Sequence, residues 1–227
     1  MNTIKYISNL FRVKFIWIFL ILFSVDSCTD EFEEYNTDKS VLMEVGQKQL
    51  AQLYSNVIFR SCNWLTTDNY NRMSSTMANH FCGFTVCGNG SGTSEENFLN
   101  TGWFNTGWSR HYTSCIPSIQ CILEITKDKD IPAYSIALIY KVYVMQQLTD
   151  LWGPVPYTEA GNGQEKVAYE SQKDVYYKMF EDLATATTAL TGALQANPSL
   201  NVYGAGDMIY NGDASKWLRF GNSLRLR

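Results

Sequence analysis

Acid–base or metal chemistry in this chain would have to come from very few side chains. Among 227 residues there are two histidines, His80 and His111. His80, Cys82 and Cys87 bring three metal-ligand types close together in sequence. A zinc site asks for a fourth ligand and for tightly paired cysteines, and neither is present. "HFC" lies in an apolar stretch, so these cysteines read as small buried hydrophobes. No HExxH pattern and no nucleophile elbow occurs. Glu95/Glu96 and Glu181/Asp182 are sequence neighbours, which suits surface charge better than two carboxyls facing each other across a bond. Gly88, Gly90 and Gly92 are not followed by Lys-Ser/Thr and have no strand-then-helix frame, so "CGNGSGTSEEN" is a loop and not a phosphate cradle. The expectation is a protein without catalysis, metal or cofactor.

One residue does invite covalent chemistry. Lys5, Arg12 and Lys14 precede the apolar run "FIWIFLILFSV", too short to span a bilayer, which takes about 20 residues, and laid out like a secretory signal. It ends in "VDSC", where Cys28 follows the small Ser27. This resembles a loose bacterial lipobox, whose cysteine thiol is acylated and becomes the mature N-terminus. Several acyl chains would hold the protein stably at a membrane. Residues 1–27 are thus expected to be a lipoprotein signal peptide, the alternative being a eukaryotic-type signal cleaved nearby. Residues 28–40, with Asp30, Glu31, Glu33 and Glu34, read as an acidic, solvated tether, and similar acidic runs mark lipoproteins sent to the cell surface. Cleavage before Cys28 leaves 15 Lys/Arg against 21 Asp/Glu, a net charge of −6 instead of −4. A chain this acidic, with no basic block beyond its start, is no nucleic-acid binder. Cys62, Cys82, Cys87, Cys115 and Cys121 then remain; an exported chain can pair them, but an odd number leaves one thiol over.

Helical patterning fills residues 41–227. Between Val41 and Phe59, Val45, Leu50, Leu53 and Val57 share a face. In "ESQKDVYYKMFEDLATATTALTGAL", Val175, Met179, Leu183, Ala186 and Leu190 recur at helical spacing. Ser171 and Asp174 form a capping-box-like start, and the pattern fades through Gly192 toward Pro198. "NTGWSRHYTSCIPSIQCILEITK" predicts another helix, with Pro117 as a kink or first-turn proline. Ala133–Leu148 is apolar nearly all round and should be a central helix. Asp213 is placed to cap a last helix with Trp217, Phe220 and Leu224 on one face. That helix runs to Arg227 without a stop signal, which suggests a truncated chain. "CGFTVCG" and "NVYGAGDMIY" are short strands at best. Successive helix pairs suggest an all-α, helical-repeat scaffold.

"LTDLWGPVPYTEA" ends the central helix abruptly. Gly153 can take the backbone angles of a helix exit, while Pro154 and Pro156 stiffen the chain beyond it. Trp152, Val155 and Tyr157 can then pack back on the scaffold, so the turn has a structural role. It also resembles the D-x-(W/Y/F)-G-x-(I/V/P)-P-(Y/F)-(T/S/D)-(E/D) hallmark of the SusD/RagB family, nutrient-binding outer-membrane lipoproteins of Bacteroidetes. "CTDEFEEYNTDKS" is similar to that family's acidic start, with Lys39 where a proline commonly stands. "NTGWSRHYTSCIPSIQCILEI" resembles its Trp/Tyr-bearing helix. "DASKWLRFGNSLRLR" resembles its W-x-(K/R)-(F/L)-x-N-(S/T)-L segment through Trp217, Arg219, Phe220, Asn222, Ser223, Leu224 and Arg227. The four run in register from Cys28 onward.

The resemblance implies a TPR-like α-helical fold, of which this chain would be the N-terminal part. It also implies a lipid-anchored outer-membrane protein, exposed at the cell surface, that binds an oligosaccharide or peptide and passes it to a SusC-like TonB-dependent transporter. The alternative is a helical-repeat scaffold or peptide receptor with no sugar ligand. Sugar recognition sets rings against C–H faces. A ring covering about 100 Å² contributes roughly 2.5 kcal/mol, against the about 4 kcal/mol of a millimolar site, so rings must cluster. Trp64, Asn69, Tyr70 and Trp103 are the candidate ligand contacts. Trp108 falls inside a helix, and Trp152 and Trp217 lie in the structural motifs, where rings fill core.

Overall fold

The computed structural model describes residues 49–64 and 101–227. The signal, the lipidation cysteine Cys28, the acidic tether, Asn69, Tyr70, His80, Cys82, Cys87 and the Gly88–Gly92 loop lie outside the described residues.

Six α-helices carry the described fold: α1 (Leu50–Trp64), α2 (Thr101–Arg110), α3 (Ile116–Thr126), α4 (Ile131–Trp152), α5 (Gln172–Ala196) and α6 (Ala214–Leu226). No strand occurs among the described residues, only the isolated bridges Val155–Glu170 and Asn201–Asp213. "NVYGAGDMIY" is therefore not a strand; it forms a short 3₁₀ turn, Gly204–Gly206, between tight turns.

Helix α4 is the hub, as its all-round apolar sequence requires. Its buried residues include Ile136, Leu138, Ile139, Tyr140, Val142, Val144, Met145 and Leu148, and it packs against α3, α5 and α6. Asp130 caps it, accepting from the Ala133 N–H at 3.1 Å, with Pro132 in the first turn, where its missing N–H costs nothing. Helix α5 buries the five residues its spacing selects, Val175, Met179, Leu183, Ala186 and Leu190. Ser171 accepts from the Asp174 N–H and donates to its carboxylate. The helix runs through Gly192 to Ala196 and stops one residue short of Pro198.

Between α2 and α3 the helical ladder widens into a π turn, His111–Cys115. Pro117 falls in the first turn of α3. It has no N–H to give to the preceding turn, and the widened turn absorbs that loss without a break in the chain's course.

A closed aromatic cluster holds α1, α4 and α6 together. Tyr54, Tyr140 and Trp217 are fully buried, with Tyr54 against Tyr140 and Trp217 edge to face and stacked on Tyr203 at 4.2 Å. Beneath it, buried Asp207 accepts four N–H groups: Ile209 and Tyr210 on one oxygen, Gly212 and the Trp217 indole on the other, the last at 2.7 Å. Gly206 presses on α1 so closely that a Cβ there would fall 2.3 Å from the Ala51 carbonyl oxygen. Asp213 caps α6 through the Ser215 and Lys216 N–H groups, and hydrogen bonding from Ser215 leads the effects that hold its carboxyl below the usual range.

Candidate functional site

The turn after α4 is built as its residues dictate. Gly153 has φ of 76°, and no atom crowds the place of a Cβ, so the backbone angle and not space demands glycine. Its N–H donates to the Thr149 carbonyl at 2.8 Å, while the Thr149 hydroxyl donates back to the Gly153 carbonyl at 2.6 Å. Beyond it, Val155 and Tyr157 are buried. The single residue-pair bridge Val155–Glu170 then pins the extended segment beside the start of α5.

Two surfaces of different chemistry flank this turn. On one, Trp108 of α2 is the centre of half-buried rings. It lies 4.6 Å from Tyr112, 5.7 Å from Trp152 and 5.8 Å from Tyr169, the last nearly parallel at 8°. Tyr112 donates its hydroxyl to the Pro156 carbonyl at 2.9 Å, tying the π turn after α2 to the turn after α4. Tyr169 closes the outer side of the group and is 64% exposed. Next to Tyr112 in sequence, His111 is buried with Nδ1 2.6 Å from the Gly107 carbonyl and Nε2 without a hydrogen-bond partner. Burial lowers its pKa, against the pull of the Gly107 carbonyl. The imidazole is therefore neutral, with Nδ1 carrying the proton.

The other surface is polar. Glu170 accepts from the N–H groups of Tyr157 and Thr158 and from the Thr158 hydroxyl. Burial raises its pKa, but these bonds outweigh it and keep the carboxyl below the usual range. Tyr157 donates its hydroxyl to Asp182 at 2.6 Å. Lys141, buried in the middle of α4, sets its ammonium 4.5 Å from the Tyr157 ring centroid. Burial lowers its pKa, and Asp182 and Glu170 only partly oppose that. A cavity of about 280 Å³ opens beside these groups.

Of the residues expected to contact ligand, Trp64 is the last residue of α1 and Trp103 lies in the first turn of α2. Asn69 and Tyr70 lie outside the described residues. Trp217 is core, as expected, whereas Trp152 is only half-buried. Sequence reasoning missed Tyr169 and Glu170; an aromatic next to an acid, just before the Ser171 cap, was the available signal. It also missed Lys141, the one charge inside the apolar run.

Cys115 and Cys121 carry free thiols. Among the described residues, no cluster of three His, Cys, Asp or Glu is arranged to hold a metal. No helix among them is long and apolar enough to cross a membrane.

With this geometry in hand, comparison with known proteins is direct. Residues 28–227 match the SusD-like family, described as SusD and RagB outer membrane lipoproteins, and the chain belongs to that family. Its members are binding proteins rather than enzymes. No curated protein matches the chain. Among solved structures, a SusD-like protein from Bacteroides thetaiotaomicron VPI-5482 is 28% identical, with a TM-score of 0.66 over 78% of this chain and 37% of its own. A chitin-binding SusD homologue from Flavobacterium johnsoniae is 28% identical, with a TM-score of 0.65 over 79% of this chain and 37% of its own. A homologue from Bacteroides ovatus ATCC 8483 is 27% identical, at 0.63 over 80% and 36%. This chain thus spans little more than a third of the length of these relatives. The all-α, TPR-like reading of the fold agrees with them.

Proposed function

We propose that this chain belongs to a cell-surface lipoprotein that binds a glycan nutrient and delivers it to a SusC-like TonB-dependent outer-membrane transporter. The observation that carries the binding half is the stacked pair Trp108–Tyr169, which ends in a ring that is 64% exposed. A flat, half-open aromatic face, here Tyr169 in the segment before α5 backed by Trp108 on α2, is what the C–H face of a sugar ring packs against. Trp64, Asn69, Tyr70 and Trp103 are the further contacts in this reading. Trp103 precedes Trp108 on α2. The anchoring half is supported by the family match, which begins at residue 28, the cysteine of the lipobox-like sequence. In this reading residues 1–27 are removed, Cys28 is acylated, and residues 28–40 tether the helical unit to the outer membrane.

The test has three arms on the full-length protein. Palmitate labelling should mark the wild type and miss Cys28→Ala. Membrane pull-downs should recover a large β-barrel protein. A glycan array should show saturable binding that weakens in Tyr169→Ala. Lack of acylation removes the anchoring role, and a membrane pull-down without a barrel removes the delivery role. A protein that ignores every glycan but retains peptides would favour the peptide-receptor alternative.

A further inference from the structure

Lys141 has an unusual position for a lysine. It sits in the centre of the most buried helix, 7% exposed, where a charged side chain is costly unless paired. Among the described residues no carboxylate lies within 4.0 Å of its ammonium. The two nearby carboxylates are engaged elsewhere. Asp182 accepts the Tyr157 hydroxyl on one oxygen, and Glu170 spends both oxygens on Tyr157 and Thr158. The Tyr157 face at 4.5 Å is the ammonium's closest recorded partner. The net effect of this environment still disfavours the charge.

Lys141 lines the cavity of about 280 Å³, which also bears Tyr134, Gln120, Glu124, Thr158 and Asp182. Lys127 and Lys178 line it too; Lys178 is held by Glu181 at 2.8 Å, and Lys127 lies past the end of α3, outside the buried core to which Lys141 belongs. The space suits one hexose ring and little more. Tyr134, half-buried at its wall, offers an aromatic face. Gln120 and Glu124, bonded to each other at 3.1 Å, and the second oxygen of Asp182 keep further acceptor and donor positions that read hydroxyls.

We propose that this cavity is a subsite for an acidic sugar residue, a hexuronate, whose carboxylate pairs with Lys141. The inference rests on the glycan-binding reading for its ligand class, and it places this subsite on the polar side of the turn, away from the Trp108–Tyr169 rings. A ligand carboxylate would supply the close counter-charge that the protein withholds, in a charge-assisted bond stronger than any a neutral hydroxyl makes there.

Calorimetric titration of the full-length protein with galacturonate and glucuronate, against galactose, glucose and acetate, tests this. The uronates should bind at least about tenfold more tightly than the neutral hexoses, the difference between a charged and a neutral hydrogen bond. They should also outbind acetate, which has no ring to place on Tyr134. Lys141→Met should abolish the uronate preference while leaving neutral glycans on the aromatic face unaffected, which separates failure of this subsite from failure of glycan binding altogether. If that variant does not fold, Tyr134→Ala provides the second readout, a severalfold loss for uronates. Equal binding of uronate and neutral hexose, acetate binding as tightly as uronate, or undiminished uronate binding in Lys141→Met would each overturn the proposal.

Discussion

The rings around Trp217 and the rings around Trp108 are made of the same residue types, yet only one group is closed on every side. Tyr54, Tyr140 and Trp217 have no exposed face, and the single polar atom of the Trp217 indole is bonded to buried Asp207. The Trp108 group is half-buried and ends in Tyr169, 64% exposed. Aromatic content alone therefore does not identify a binding surface. What separates core from candidate platform is whether a further helix covers the last ring: α6 does so for one group, and no element among the described residues does so for the other.

The sharpest way to break the comparison is to cut into both groups. Trp217→Ala should cost about 3–5 kcal/mol, through the cavity and the N–H partner removed from Asp207, read as a fall in Tm or denaturant midpoint. A loss below about 1 kcal/mol would mean the closed group is not closed. Tyr54→Phe should act the other way. The Tyr54 hydroxyl is buried without a partner, so deleting it should be neutral or stabilise by up to about 1 kcal/mol. A clear destabilisation would reveal a partner for that hydroxyl.

The π turn that carries Tyr112 of the open group also carries the buried His111, and pH reaches it. His111 has a folded-state pKa below 6.5. As pH falls through 6.5, the unfolded chain takes up a proton that the folded chain refuses, so stability should drop between that pH and the lower folded value. Above 6.5 this group contributes no pH dependence. Denaturation midpoints at a series of pH values, with His111→Gln as control, would show this slope diminish in the variant. The smallest effect belongs to Tyr169→Ala, expected to change stability by no more than about 0.5 kcal/mol while weakening glycan binding. A large fall in Tm would reassign Tyr169 to the core.

Much of the scaffold was legible because it depends on local rules. The buried face of α5 follows from 3.6-residue periodicity, the α6 start from the Asp213 cap, and the helix exit from Gly153. The residues that escaped do so for non-local reasons. Tyr54 is buried because Tyr140, Tyr203 and Trp217 meet it from far along the chain. Asp207 lies in a stretch that reads as a weak strand, and only the returning Trp217 completes its role. The π turn depends on Pro117 two residues beyond it, which was read as a kink or a first-turn residue. Of the candidate contacts, Trp64 and Trp103 were placed on the scaffold, while Asn69 and Tyr70 fall outside the described residues. Tyr169 and Lys141 became candidates only once exposure and burial were known.

The fit of Gly206 against Ala51 carries a consequence for how the chain comes into being. The surface that receives α1 is completed by residues 203–217, roughly 150 positions after Tyr54 emerges from the ribosome. At about 5–20 residues per second, roughly 8–30 s pass before that part of its surface is covered, although α3 and the π turn, which also pack on it, are made sooner. The packing around the first helix is thus finished only when residues about 150 positions downstream have been made, so the earliest described segment is among the last to be fully enclosed.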